Sequence, residues 1–496
     1  MTRYNCFSIC FILLACAPLQ VFGESIDKAK WIEVKSQHFT INSTLDEDDT
    51  ITLLNNLEMF RQAVVIGGLA PSKSPVKNIV YAITDDQAKQ LNITNRLGGY
   101  FSPSISENIM VLKGFKKIDD ISTVLHDYVH YLNQSTSMFI PPNWLNEGVV
   151  EYYSDIRVRP QSLVIGETQL RYIKRLLRHR WYTAKKLLDE VNIFDLSRDK
   201  RKLFYTQSRL LVLYLKSRER IKSGEQYNFL SAVKKYKVLL LGGEDKYLAF
   251  EQAFNIELST LNHKLRKHIR SERYRSLSLK KDVLLKDITV ATKQLGKNEV
   301  AYLLAKLAHS RSESTMAKRW FDDAAAGEHP IPAALIGSAL LTDDKQREQA
   351  NQLVTKALVL APRDFDVLLN AAGYYLGLAL SDEQGSALFN RHIKKSRQLA
   401  TRAWQINKDS PLIYFYFGMS YFLKGDDHLK AVQMLEEAHS VNPSNLHLIY
   451  ALSNAYLRFD KAKSITLLKQ ILAMAHQKNE WQAMVEKQLK TLGEQQ

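Results

Sequence analysis

Apolar residues recur at the period of a strand only in the first quarter of this 496-residue chain, and from Ile118 onward their spacing is helical. One such change of period predicts a mixed α and β unit followed by helices. Trp31–Val34 and His38–Asn42 flank a short polar turn and predict a hairpin. A helix is expected over 46–66, ended by Gly67-Gly68 and Pro71, and Val76–Ile83 (VKNIVYAI) reads as a buried strand followed by a helix to about Leu91. Gly98–Phe101 and Ile109–Leu112 read as two short strands, and beyond Ile118 no convincing strand is expected. Past residue 23 no uninterrupted apolar run approaches the ~20 residues of a membrane-spanning helix, so the chain does not read as a multispan helical protein.

All three cysteines, Cys6, Cys10 and Cys16, lie in the first 16 residues. The body of the chain therefore has no disulfide, thiol nucleophile or cysteine metal ligand at its disposal. Those opening residues combine Arg3, an apolar stretch from Phe7 to Ala17 and small or short residues at Val21 and Gly23, the layout of a secretory leader cut after Gly23. The expected location is outside the cytoplasm, in a bacterial periplasm. Leu13-Leu14-Ala15-Cys16 keeps open a second form, anchored by a lipid on Cys16.

The last two hundred residues show self-similarity. Tyr414, Phe417, Gly418 and Tyr421 are followed by Ala431, Leu435, Ala438 and Pro443; an earlier copy has Ala350, Val354, Ala357 and Pro362 at the same second-helix spacing. Leu368, Ala371, Ala372 and Tyr375 open another helical pair, and Ile449, Leu452 and Tyr456 another after Pro443. Small residues let paired helices approach closely, aromatics fill the gaps and proline ends each second helix. The pattern resembles tetratricopeptide repeats over about residues 296–490. That resemblance implies an all-α superhelix with a concave surface for a protein partner.

The formal charge of +16 is localised: residues 156–285 hold 30 Lys+Arg and 13 Asp+Glu, whereas the rest of the chain holds 38 and 39. Arg171–Arg180 (RYIKRLLRHR) and Lys264–Arg275 (KLRKHIRSERYR) keep apolar residues at helical spacing and read as amphipathic helices with basic outer faces. Such a face is either simply solvated or attracted to an anionic membrane surface, an envelope polymer or an acidic partner. No nucleic-acid-binding motif accompanies it, and nucleic acid is not an expected partner.

Chemistry concentrates in two short motifs. His126-Asp127-Tyr128-Val129-His130 lies in a helical pattern from Ile121 to about Leu132, so both imidazoles project from one face, one turn apart. The spacing alone fits either a metal pair or two packed histidines. Trp144-Leu145-Asn146-Glu147-Gly148 then offers Glu147, 17 residues past His130 on a second helix, as the third protein ligand of a catalytic zinc site. Glu151 lies one turn beyond and is placed to hold the second N–H of a ligand histidine. Trp144 reads as a core anchor, and His38 and His179 as structural or exposed.

HxxxH, a connection containing Pro141-Pro142, and WLNEG with an acidic residue four positions past its glutamate together resemble the gluzincin zinc metallopeptidases, the thermolysin-like enzymes with an HExxH helix and a downstream glutamate ligand. The likeness covers about 30–285 in layout and 100–155 in motif. It implies an α+β thermolysin-like domain, made of a mixed half (24–155, with the metal site) and a basic helical half (156–285). Zn2+ would be held by His126, His130 and Glu147 with Glu151 behind them, and an extended peptide substrate would lie along the Gly98–Leu112 strands. By the same likeness Asp127 is the catalytic acid–base group and Tyr205, expected to open a later helix, the catalytic hydrogen-bond donor. The family carries glutamate where this chain has Asp127, one methylene shorter, and no Gly-x-Met-Glu-Asn run marks an aminopeptidase. The expected function is an exported zinc-dependent peptidase with an interaction domain. A peptidase-like scaffold that no longer cleaves, or hydrolysis of a non-peptide amide, remains the alternative.

Overall fold

The computed structural model describes residues 25–68, 76–93, 98–114, 118–134, 141–167, 170–189, 193, 195–218, 227–270, 276–474 and 480–493. The leader with Cys16, Pro71 and the 271–275 end of the second basic stretch lie outside the described residues.

A six-stranded mixed sheet organises the first part of the chain. β1 (Ile32–Lys35) and β2 (Phe39–Ser43) form the expected hairpin, followed by α1 (Glu47–Ile66), β3 (Lys77–Ile83), α2 (Asp85–Gln90), β4 (Gly99–Ser102) and β5 (Glu107–Lys113). α1 starts where the Asp46 side chain accepts from the Asp49 N–H, with Glu47, Asp48 and Asp49 favourably placed in the first turn of the helix dipole. β3 runs parallel to both β2 and β5, whereas β4 pairs antiparallel with β5 and forms one edge.

Both faces of the sheet are covered, which explains why β3 reads as a continuous apolar run. Val80, Ala82, Met110 and Leu112 pack against α1 and the helix after β5, while Ile79, Tyr81, Ile83, Ile109 and Val111 face the other way. That second layer is supplied by the start of the C-terminal half, where Leu304, Ala308, Trp320 and Phe321 join the same cluster.

After a short 3-10 turn over Ile118–Ile121 come α3 (Ser122–Gln134) and α4 (Asn143–Tyr153). Then follow β6 (Ile156–Val158), β7 (Ser162–Ile165), α5 (Leu170–Arg178), α6 (Ala184–Leu188), α7 (Arg198–Ser217), α8 (Phe229–Leu241), α9 (Lys246–Phe254), α10 (Leu258–Arg270), β8 (Leu277–Lys280), α11 (Lys281–Leu284) and β9 (Ala291–Gln294). Here the structure departs from the expectation of helices alone. β6, β7 and β8 form a small antiparallel sheet, and β9 returns to pair with β1 as the sixth strand of the large one. Strands of three or four residues are too short to display a period of two. β9 (ATKQ) is exposed along its whole length, and backbone pairing with β1 gives it no apolar pattern to read.

The remainder is a stack of helical hairpins: α12 (Lys297–His309) with α13 (Ser314–Ala325), α14 (Pro332–Leu340) with α15 (Arg347–Leu360), α16 (Phe365–Ser381) with α17 (Ala387–Ile406), α18 (Pro411–Lys424) with α19 (His428–Val441), and α20 (Leu446–Tyr456) with α21 (Lys461–Met474), closed by α22 (Glu480–Thr491). Gly418 shows why small residues recur. A Cβ there would stand 2.5 Å from Leu435 Cγ, so the α18–α19 approach requires its absence. The stack curves back on the sheet, and the buried Asn442 side chain donates to Ser104 O in the β4–β5 turn (2.9 Å). No helix among the described residues is long and apolar enough to cross a membrane.

Candidate metal centre

α3 is held against the sheet by its apolar face. Val124, Leu125, Tyr128, Val129 and Leu132 are buried there, and the Tyr128 ring meets Phe39 of β2 and Phe101 of β4 at 6.0 and 5.5 Å between centroids. His126, Asp127 and His130 are left on the side turned toward α4. α4 begins directly after Pro142 and is fixed by Trp144, fully buried against Tyr236, Phe250 and Phe254 of α8 and α9. It crosses α7 at Gly148, where an added Cβ would lie 2.6 Å from Ser208 O.

This packing brings His126, His130 and Glu147 together. His126 Nε2 and His130 Nε2 are 3.2 Å apart, and Glu147 Oε2 lies 3.5 Å from the first and 3.6 Å from the second. Four-coordinate zinc bonded at ~2.0–2.1 Å keeps neighbouring ligand atoms ~3.3 Å apart, so these three atoms have the spacing of one face of its coordination tetrahedron. Glu147 Oε2 is buried and makes no hydrogen bond, since 3.5 and 3.6 Å are too long for one. A buried carboxylate oxygen left without a donor, facing two imidazole nitrogens, fits a divalent cation.

Electrostatics around the cluster point the same way. Burial disfavours charge on His126, but Glu147, Glu151 and Asp127 overcome it and lift the imidazole to about 9. Burial would likewise raise the Glu147 carboxyl, yet His130 and His126 hold it far below the usual carboxylate range. Three carboxylates thus face two imidazoles, and a bound cation would replace the proton that His126 otherwise holds. Glu151 Oε1 stands 3.5 Å from His126 Nδ1, on the side of the ring opposite Glu147.

Tyr205 does not open its helix: it lies two turns inside α7, half-buried, its ring 6.1 Å from that of His126. Burial, reinforced by Glu147, raises its hydroxyl well above the ordinary tyrosine value, so it remains protonated and able to donate. Asp127 is half-buried, and its charge is felt by both His126 and Tyr205. All six residues singled out from the sequence therefore lie on three helices that pack together, α3, α4 and α7.

Sequence reasoning missed Arg209. It is buried on α7 one turn past Tyr205, donates to Asp155 Oδ2 and Glu167 O (both 2.8 Å) and stacks on Tyr172, its guanidinium carbon 4.2 Å from the ring centre. It ties α7 to the chain that leaves α4, and nothing in the local sequence sets it apart from the other arginines. His38 is structural: its Nδ1 bonds Glu58 Oε2 at 2.8 Å.

No protein-family model and no curated protein matches the chain. Among solved structures it is similar to a thermophilic TPR protein of Thermus thermophilus (16% identity, 39% of this chain and 99% of that one, TM-score 0.34). It is also similar to MamA from Desulfovibrio magneticus (14%, 36% and 93%, TM-score 0.26). Yeast Tom70 gives 13% identity over 76% of this chain and 85% of that one, at a TM-score of 0.30.

Proposed function

We propose that this chain is an exported zinc-dependent peptidase of the gluzincin type, thermolysin-like in layout, whose helical hairpins bind a protein partner or substrate. The observation that carries the proposal is the triangle of ligand atoms, 3.2 to 3.6 Å on a side, built from two helices whose sequences also supply Glu151 and Asp127.

His126, His130 and Glu147 would hold the zinc, which would supply Lewis acidity toward an amide carbonyl and toward water. Glu151 attracts the Nδ1–H of His126 and so keeps the Nε2 lone pair turned toward Glu147. Asp127 is the carboxylate placed to take and return a proton, and Tyr205, protonated, is the donor for negative charge developing on the substrate oxygen. β4 is an edge strand whose outer side pairs with no described strand, and an extended peptide can add there by backbone hydrogen bonds.

The shorter acid at Asp127 favours a second reading, a metal-binding scaffold with little turnover, because proton transfer needs a heavy-atom separation of ~2.6–3.2 Å, directly or through one water. Metal analysis of the purified chain and of Glu147→Ala tests the foundation: about one zinc per chain is expected in the first and loss in the second. Chelator-sensitive cleavage of unfolded casein that Asp127→Ala abolishes supports the peptidase. Full metal content with no cleavage, and cleavage gained in Asp127→Glu, supports the scaffold.

A further inference from the structure

Two helices that follow α4 are strongly basic. α5 and α10 each carry four Lys+Arg and no Asp or Glu. On α5 the inward residues are Tyr172, Leu176 and Arg175, the last donating to Thr206 Oγ1 of α7 at 2.9 Å. Lys174, Leu177 and Arg178 point outward, and Leu177, at 74% exposure, is the most exposed large apolar side chain among the described residues. α10 joins the same face through Arg266, whose guanidinium carbon lies 4.7 Å from the centre of the Trp181 ring just after α5. α6 extends it: Lys185 lies 5.4 Å from the ring of Tyr247 at the start of α9, whose hydroxyl bonds Asp189, itself paired with Lys246 at 3.0 Å, and Leu248 beside them is 50% exposed. Among the described residues no ion pair neutralises Lys174, Arg178, Arg180, Lys267 or Arg270.

A face that merely meets water accounts for the cations but gives no role to the exposed leucines beside them. A soluble polyanion would use the cations and gain nothing from Leu177 or Leu248. An anionic bilayer uses both, attracting Lys and Arg to the headgroups while apolar side chains enter the acyl boundary. We propose that α5, α6 and α10 form a docking face for a membrane rich in anionic headgroups, with Leu177 and Leu248 entering it. This rests on neither the metal site nor the peptidase reading.

Vesicle flotation tests it, using the purified chain without its first 23 residues, whose apolar leader would bind lipid by itself. Binding is expected to phosphatidylcholine vesicles containing one quarter phosphatidylglycerol, to weaken with salt, and to be absent with phosphatidylcholine alone. Each cation at such a surface strengthens partitioning about fivefold, so Lys174→Glu/Arg178→Glu/Arg180→Glu should weaken it at least about 100-fold. Leu177→Ser should weaken it about tenfold or more. Circular dichroism checks that the variants fold, and Lys267→Glu/Arg270→Glu on α10 gives an independent reversal. Three results would overturn the proposal: equal binding to both vesicle types, charge-reversed chains that bind like the parent, or attachment to heparin that ignores Leu177→Ser while vesicles are left unbound.

Discussion

At the scale of single residues, the electrostatic choices lie beneath the site as well as in it. Glu58 of α1 is buried under the sheet and accepts from Ser36 Oγ (2.5 Å) and the His38 amide (3.1 Å), and its other oxygen bonds His38 Nδ1. Burial pushes its carboxyl up, but the side-chain bonds from His38 and Ser36 prevail and the group titrates below the usual value. A depressed folded pKa means that Glu58 stabilises the fold above the unfolded glutamate value near ~4.3 and that this contribution is lost as pH falls through the lower folded value. Glu58→Ala should therefore cost about 3 kcal/mol at neutral pH, read as a lower urea midpoint, and Glu58→Gln should flatten the fall of that midpoint below about pH 4.3. A midpoint whose pH dependence is the same in Glu58→Gln as in the parent would contradict the assignment. Nothing in the sequence marks Glu58, because its partners come from a turn twenty residues away.

At the scale of elements, legibility followed the strength of periodicity. α3 is readable because its polar exceptions, His126 and His130, fall at turn spacing on an amphipathic helix, whereas α4, buried along nearly its whole length, is readable from Pro142 at its start and the run WLNEG. β6 to β9 were not, being short or exposed. Tyr205 reads as the opening of a helix but lies two turns inside α7, because α7 begins with the polar run Arg198–Lys202, which hides its first turn. The glycine of WLNEG carries a constraint that a ligand motif does not express: α4 and α7 touch at Gly148. Gly148→Ala would push a methyl group into Ser208 O and Val212, which must move the two helices apart. The expected cost is about 1–3 kcal/mol, a fall of roughly 2–12 °C in the unfolding midpoint of this part of the chain. Tyr205 should also withdraw from His126, so any hydrolysis should drop further than zinc content. Unchanged melting and activity would mean that the helices do not meet there.

At the scale of the whole molecule, the repeats and the sheet share a core, although the sequence divides them at 285 and 296. β9 lies in that gap and pairs with β1, and α12 and α13 then lie over Ile79, Tyr81, Ile83, Ile109 and Val111. The covering is pinned by polar contacts too: the Tyr81 hydroxyl donates to Leu303 O at 3.1 Å, and Arg311 bonds the backbone of Leu91 and Asn92. Burying such side chains stabilises a fold by ~1.5–3 kcal/mol each, so five of them amount to about as much as the ~5–15 kcal/mol that holds a typical domain folded. A fragment over 24–290 loses that covering together with β9. It should be insoluble or only partly folded, whereas 24–341, which keeps α12 to α14, should be soluble and match the full chain in metal content. Analytical ultracentrifugation with metal analysis of both fragments decides it. If 24–290 were a stable, metal-binding monomer, the hairpins would be an appended module. If only the longer fragment is, the first hairpin is structurally part of the unit that holds His126, His130 and Glu147, and movement in the stack can reach the sheet edge through α12 and through the Asn442 bond to Ser104.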